Sequence, residues 1–230
     1  MTEPDNPFKL ELFQTSDGSH TLKLIGKDEQ YHSLNGAMQE SQHVFISAGL
    51  KPLLHKNDKL FLLEIGLGTG LNALLTAKNA IDNQCNIYYD AIEAYPLHKE
   101  WISELNHPDL FDEEWIGKAF QLIHSADEKK YVNIENHFFI KCLRQKIQEV
   151  ILKEQYYHLV YFDAFGPDTQ PELWTKEIFT KISQSMRPGA ILVTYCAKGA
   201  VRRTMKAAGL QVEKLAGPPG KREITRAVKI

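Results

Sequence analysis

Apolar and polar residues alternate twice near the start of the chain, over 8–12 and 21–25, on either side of Ser16-Asp17-Gly18-Ser19. Such alternation predicts half-buried strands, and the small polar link predicts a hairpin. Over 35–50 the apolar residues Ala37, Met38, Val44, Phe45 and Ala48 recur at helical spacing, so a helix follows. The pattern then changes. Apolar runs at 60–65, 87–92, 138–143, 158–163, 190–195, 211–215 and 222–228 predict seven strands. Helical stretches at 71–79, 96–105, 171–186 and 201–208 fill most gaps, with Pro96 and Pro171 read as first-turn residues and Gly209 as a C-terminal cap. Strands alternating with helices define an α/β fold with a doubly wound sheet. Only Ala216-Gly217-Pro218-Pro219-Gly220 separates the last two strands, which predicts an antiparallel closing hairpin. Residues 1–55 read as an N-terminal hairpin and helix cap, and 56–230 as the main domain. The stretch 106–136 shows no clear period.

The first strand of the main domain runs into Glu64-Ile65-Gly66-Leu67-Gly68-Thr69-Gly70, and a helical pattern starts at Leu71. Glycines remove the Cβ atoms that keep a ligand off the backbone and permit positive φ. Free N–H groups at the helix start then face a polar ligand. A dinucleotide fingerprint needs its third glycine three residues after the second. Leu71 stands there, so NAD fits poorly. The acid and the G-x-G-x-G spacing resemble motif I of class I S-adenosylmethionine (AdoMet) methyltransferases.

Ligands in open α/β sheets bind at the carboxyl ends of strands. Glu93 ends the second strand, where a carboxylate suits ribose hydroxyls; a solvated loop acid is the alternative. Asp163 ends the continuous apolar run Leu159-Val160-Tyr161-Phe162, the mark of a central strand. There an acid can position an amine nucleophile and stabilise the charge that grows on nitrogen, or simply cap a helix. Phe165 and Pro167 suit packing on a planar base, or core packing equally. Trp174 reads as core.

Net charge is −2, but residues 198–230 carry nine bases against two acids. That surplus is the footprint of an RNA-contacting face or of a solvated helix. Three widely spaced cysteines form no metal or redox motif and fit reduced thiols in the cytoplasm. The nine histidines show no metal-ligand spacing. Residues 1–7 are acidic and polar, so no signal peptide is expected. No apolar run approaches the roughly 18 residues of a membrane span.

Several longer motifs carry a family resemblance. They are Glu40-Ser41-Gln42-His43-Val44-Phe45, the glycine turn, and 162–174 (Phe-Asp-Ala-Phe-Gly-Pro-Asp-Thr-Gln-Pro-Glu-Leu-Trp). With them go Thr194-Tyr195-Cys196-Ala197-Lys198-Gly199, Val201-Arg202-Arg203 and Gly217-Pro218-Pro219-Gly220-Lys221-Arg222-Glu223. Together they resemble the methyltransferase domain of MnmC-type tRNA enzymes, including its stand-alone form. The resemblance implies a class I AdoMet-dependent methyltransferase fold, Rossmann-like, with seven strands and the last antiparallel. It implies N-methylation of 5-aminomethyl-2-thiouridine to 5-methylaminomethyl-2-thiouridine at the tRNA wobble position, with the anticodon loop as partner and no metal. Full-length relatives add a flavin oxidase domain; no flavin is expected here, and the amine is expected from another protein. Glu64, Gly66, Gly68, Gly70 and Glu93 are the implied AdoMet contacts. Asp163 is implied beside the transferred methyl, with Phe165, Lys198, Arg202, Lys221 and Arg222 on the substrate side. One departure stands out: Leu143-Arg144-Gln145-Lys146 follows the third strand with no carboxylate, leaving Gln145 or backbone groups to hold adenine. Two other readings stay open, a transferase acting on a small amine in the manner of aminopropyltransferases and a non-catalytic RNA-binding module.

Overall fold

The computed structural model describes residues 7–230, so the acidic start of the chain, apart from Pro7, lies outside the described residues. β1 (Leu10–Gln14) and β2 (His20–Leu24) form the expected hairpin as a separate two-stranded sheet. Asp17 at its tip accepts the Gln39 N–H at 2.9 Å, which pins the hairpin to α1 (Ala37–Ser41). The helical path then widens over Gln42–Leu50 and regains ordinary winding in α2 (Lys51–Leu54). Such widening often marks functional regions. Val44, Phe45, Ile46 and Leu50 are buried against the main sheet. Gly49 allows the close approach, since a Cβ there would stand 2.9 Å from Val193 Cγ2. The buried apolar cluster is therefore continuous across residue 55, from Leu22 and Phe45 to Leu62 and Tyr161.

The main domain continues with β3 (Lys59–Ile65), α3 (Leu71–Asp82), β4 (Asn86–Ile92), α4 (Lys99–Glu104), α5 (Trp115–Ser125), β5 (Val132–Ile134) and β6 (Phe138–Leu143). It closes with β7 (Tyr157–Phe162), α6 (Lys176–Ser185), β8 (Met186–Thr194), α7 (Gly199–Ala207), β9 (Leu210–Ala216) and β10 (Glu223–Lys229). The sheet order is β5-β6-β4-β3-β7-β8-β10-β9. The strands β6, β4, β3, β7 and β8 are parallel, and β10 runs antiparallel to both its neighbours, as the short last connection predicts. Burial on both faces explains the continuous apolar runs: Leu62 and Tyr161 face one cluster, Leu63, Val160 and Phe162 the other.

Among the described residues the sheet has eight strands, not seven. The extra one, β5, is three residues long and pairs antiparallel with β6 at the edge. It lies in the stretch without a readable period, and three residues are too few to show one. Pro96 precedes α4 by three residues and is not in its first turn. The stretch 171–186 is not one helix. A tight turn over Pro171–Leu173 ends at buried Trp174, and Thr175 then caps α6 by accepting the Ile178 N–H. Trp174 packs on Phe162 (ring centroids 4.8 Å apart) and donates Nε1–H to the Phe165 carbonyl at 2.8 Å, which breaks the helix. Among the described residues, no helix is long and apolar enough to cross a membrane.

Arg202, expected on the substrate side, is a structural residue in this fold. It is buried between α7 and β10 and spends all three nitrogens there. Nε donates to Thr225 Oγ1 (3.0 Å), Nη1 to Glu223 Oε2 (2.7 Å) and Nη2 to the Ile224 carbonyl (3.1 Å). Its side chain is turned inward because α7 presents that face to the sheet, together with Val201 and Met205. Arg202→Ala is expected to destabilise the fold by roughly 1–3 kcal/mol, through the buried acceptors of Thr225 and Ile224 left unsatisfied. Urea unfolding reads this directly; an unmoved midpoint would show that the guanidinium is dispensable to folding.

Candidate active site

The turn after β3 is clamped between its neighbours. The Gly66 N–H donates to the Ile92 carbonyl and the Asp163 N–H donates to the Ile65 carbonyl, each at 2.9 Å. Gly66 has φ 88°, and a Cβ on it would lie 2.5 Å from the Asp163 carbonyl oxygen, so a side chain does not fit. Gly68 follows with φ 51°, and its N–H points at Glu93, whose Oε2 accepts it at 3.0 Å. Gly70, also at positive φ, begins α3.

Above this turn lies a cleft, open to solvent at its mouth. Its floor is Ile65 to Thr69, Ile92 to Tyr95 and Asp163 to Phe165, the carboxyl ends of β3, β4 and β7. This is where the strand order reverses, the usual crevice for ligands in open α/β sheets. Gln145 to Gln148, after β6, form one side. Phe8 and Gln30 to His32, from the N-terminal module, form another.

Glu93 stands at one end of the floor, its Oε1 accepting the Tyr95 N–H at 2.8 Å. Burial raises its proton affinity, and the N–H groups of Gly68 and Tyr95 oppose that. Asp163 stands at the other end. Burial, then the negative charge of Glu40, push its carboxyl up to about 8, while the Asn72 amide and Lys221 pull the other way. Around it are Phe165, Tyr31 and Tyr195. The rings of Tyr31 and Phe165 meet edge to face at 4.9 Å, and the Tyr195 hydroxyl donates to the Ala164 carbonyl at 2.9 Å.

The structure brings Gly66, Gly68, Glu93, Asp163 and Phe165 to one cleft. It does not bring Glu64 there. That residue is fully buried beneath the turn, where its Oε1 accepts from Asn72 Nδ2 at 3.0 Å. The reason is the pleat: Glu64 precedes the last residue of β3, and its side chain points into the α3 layer. Burial, with the charges of Asp163 and Glu93, holds its carboxyl well above the ordinary range. Lys221 is not a free cation: it pairs with Glu40 and sits 4.4 Å over the Tyr195 ring, at the rim near Asp163. Lys198 is exposed and paired with Asp168, while Arg222 is exposed. Gln145 lines the cleft, as its place after the third parallel strand suggests.

Sequence reasoning missed Tyr31, His32 and Asn72. The first two lie in an irregular segment with no period. His32 is buried, with Nε2 2.6 Å from Thr69 Oγ1, and burial pushes its imidazole down to about 4, so it is neutral near pH 7. Asn72 did leave a signal, a polar amide among Leu71, Ala73, Leu74 and Leu75 in a buried first turn.

Fold and site together define a class I methyltransferase architecture. Residues 108–230, more than half of the chain, match the family described as S-adenosyl-L-methionine-dependent methyltransferase, and the chain belongs to that family. Among curated relatives it is 28% identical over 214 residues to the tRNA 5-methylaminomethyl-2-thiouridine biosynthesis bifunctional protein MnmC of Cupriavidus metallidurans, covering 87% of this chain and 31% of that protein. The protein of the same name from Aromatoleum aromaticum is 27% identical over 231 residues, covering 97% and 36%. The chain thus spans about a third of the length of these relatives. Among solved structures, MNMC2 from Aquifex aeolicus superposes with a TM-score of 0.74 at 24% identity, covering 97% of this chain and 72% of that one. Spermidine synthase from Thermotoga maritima gives 0.58 at 13% identity, covering 99% and 72%. Both likenesses show the fold.

The raised Asp163 carboxyl has a consequence for stability. In the fold it keeps its proton up to about pH 8, while the unfolded chain loses it near 3.8, the ordinary aspartate value. Between those limits the folded state binds more protons, so this contribution to stability falls as pH rises. Asp163→Asn lacks that penalty. Its melting temperature relative to wild type is expected to climb from pH 4 to about pH 8 and then level off. A pH-independent difference, read by differential scanning fluorimetry, would show that this carboxyl is already ionised.

Proposed function

We propose that this protein N-methylates an aminomethyl group on an RNA base: 5-aminomethyl-2-thiouridine at the tRNA wobble position, giving 5-methylaminomethyl-2-thiouridine. The observation that carries this reading is that Asp163 lines one cleft with Tyr31, Phe165 and Tyr195, an acid for an amine and aromatic surfaces for a planar ring. The names of the MnmC relatives support the choice of base.

The cleft fits AdoMet. Gly66 and Gly68 keep Cβ atoms out of the cleft-lining turn, Glu93 at the end of the floor would accept from the ribose hydroxyls, and Gln145 with its neighbours would form a side for adenine. When bound, AdoMet supplies an electrophilic methyl on a positively charged sulfur that departs with the bonding pair. The protein's own work is alignment and charge. Asp163 orients the neutral amine and stabilises the positive nitrogen as the N–C bond forms. A carboxyl titrating near pH 8 is also suited to take the proton that nitrogen then sheds. Because a primary amine is consumed, another reaction must supply it. Other base modifiers draw their target out of the stack, and the cleft mouth favours the same for an anticodon nucleotide.

Glu29 and Glu40 near Asp163 raise the small-amine alternative. Both are engaged: Glu29 Oε2 accepts the Gly166 N–H at 2.8 Å, and Glu40 is paired with Lys221. Glu93 and Glu172 also line the cleft, but Glu93 is met by two backbone N–H groups, so Asp163 is the acid this reading assigns to the amine. The decisive experiment incubates the protein with labelled AdoMet and either aminomethyl-bearing tRNA or spermidine, followed by mass spectrometry of the nucleosides and amines. Label is expected in wobble uridine, and Asp163→Ala is expected to abolish it while leaving AdoMet affinity within a few fold. Label in the polyamine instead, or an active Asp163→Ala protein, would overturn the reading.

The cations available to RNA phosphate differ from those expected. Arg203, Lys206 and Arg222 are exposed and form no salt bridge among the described residues. Replacing all three by alanine is expected to reduce the salt slope of tRNA binding by roughly 0.7–0.9 for each phosphate that is no longer neutralised. Filter binding across a salt series checks it; an unchanged slope would remove this face from the interface.

A further inference from the structure

Asn72 stands in the first turn of α3, 2% exposed, among residues that bury only hydrocarbon. Its amide nitrogen has two hydrogens and makes two bonds, to Glu64 Oε1 at 3.0 Å and to Asp163 Oδ2 at 2.8 Å. Thr76 anchors the turn beneath it, donating from Oγ1 to the Asn72 carbonyl at 2.7 Å. Asn72 Oδ1 and Glu64 Oε2 are buried without a hydrogen-bond partner among the described residues. Orphaned polar atoms of this kind are costly in a core. Packing alone would be served better by an apolar residue, so the amide is retained for the two bonds it makes.

We propose that Asn72 is the positioning residue for Asp163: its amide ties Oδ2 back toward α3, Glu64 braces that amide from behind, and Asp163 Oδ1 is left to face the substrate nitrogen. This rests on Asp163 being the acid at the reacting centre. Oδ1 takes no hydrogen bond from the described residues and lies on the cleft side. The bond also sets the charge of the acid. Facing Asp163 are Glu29 and Glu40 from the N-terminal module, Glu64 on β3, Tyr89 on β4, Tyr195 after β8 and Lys221 from the last turn. The acids favour its protonated form, while Lys221 and the Asn72 amide favour the carboxylate.

Asn72→Leu keeps the volume and removes both bonds. The Asp163 titration, followed by carboxyl carbon NMR, is expected to move up by about one unit or more, the loss of a hydrogen bond to a charged acceptor. The rising limb of the pH–rate profile moves with it to higher pH. The kcat for methyl transfer to tRNA is expected to fall by roughly 10–100-fold, with AdoMet affinity changed only a few fold. Asn72→Asp, which adds a third carboxyl, should move the titration further still. A folded Asn72→Leu protein with an unmoved titration overturns the proposal. So does a moved titration with unchanged kcat; if Asp163→Ala is then also active, the fault lies in the reading of Asp163. Should neither variant fold, the wild-type Asn72 side-chain amide resonance decides. It should shift as Asp163 titrates, and a resonance that stays put overturns the proposal.

Discussion

The contact between Gly66 and the backbone of Asp163 is the constraint on which the site depends. With 2.5 Å between a would-be Cβ and a carbonyl oxygen, only a bare α-carbon lets β3 and β7 end side by side. Their cross-bond, Asp163 N–H to Ile65 carbonyl, then fixes the height at which the acid emerges. The Gly66 bond to Ile92 does the same on the other side and sets Glu93 at the opposite end of the floor. The spacing of two carboxyl groups across a cleft therefore follows from backbone hydrogen bonds of a tight turn. Rigid elements, not mobile loops, hold the acids, which is what a reaction governed by alignment requires.

Burying several carboxyl groups around one turn creates an electrostatic problem, and the structure answers it differently for each. Glu93 is met by two backbone N–H groups, Glu40 by Lys221, and Glu29 by the Gly166 N–H. Glu64 and Asp163 both draw on one amide, that of Asn72. Two full charges on one neutral donor in a dry site are unfavourable. Both carboxyls are held above the ordinary range: Glu64, fully buried, is shifted furthest, while Asp163, at the cleft, titrates at about 8. A pair of acids that looks redundant in the sequence thus divides into a neutral brace and a titratable group.

Much of this was legible in the sequence. The period of two became the hairpin, and the glycine spacing with its preceding acid became the turn. The missing helix before 222 became an antiparallel β10. These are properties of local backbone geometry, and local patterns record them. What the sequence hid is tertiary. Nothing in the pattern around Arg202 distinguishes a guanidinium that reaches RNA from one that turns inward to Thr225, because both sit on a helix with the same spacing. Lys221 gives no sign that Glu40, far away in the chain, is its partner. Tyr31 and His32 reach the cleft only because the hairpin folds back over it.

The N-terminal module and the C-terminal hairpin meet over the cleft, and this joins the two halves of the chain's chemistry. Glu29 holds the loop after β7, Tyr31 abuts Phe165, and Glu40 pairs with Lys221 from the β9–β10 turn. Gly220 in that turn lies against Asn35, so closely that a Cβ would be 2.0 Å from its Nδ2. The cationic tail is therefore not a free arm. Its inner members are neutralised in the contacts that shape the cleft wall, and its outer members, Arg203, Lys206 and Arg222, remain at the surface. Lys221 in the β9–β10 turn thus faces the N-terminal module beside the cleft, while Arg222 in the same turn and Arg203 and Lys206 on α7 face solvent.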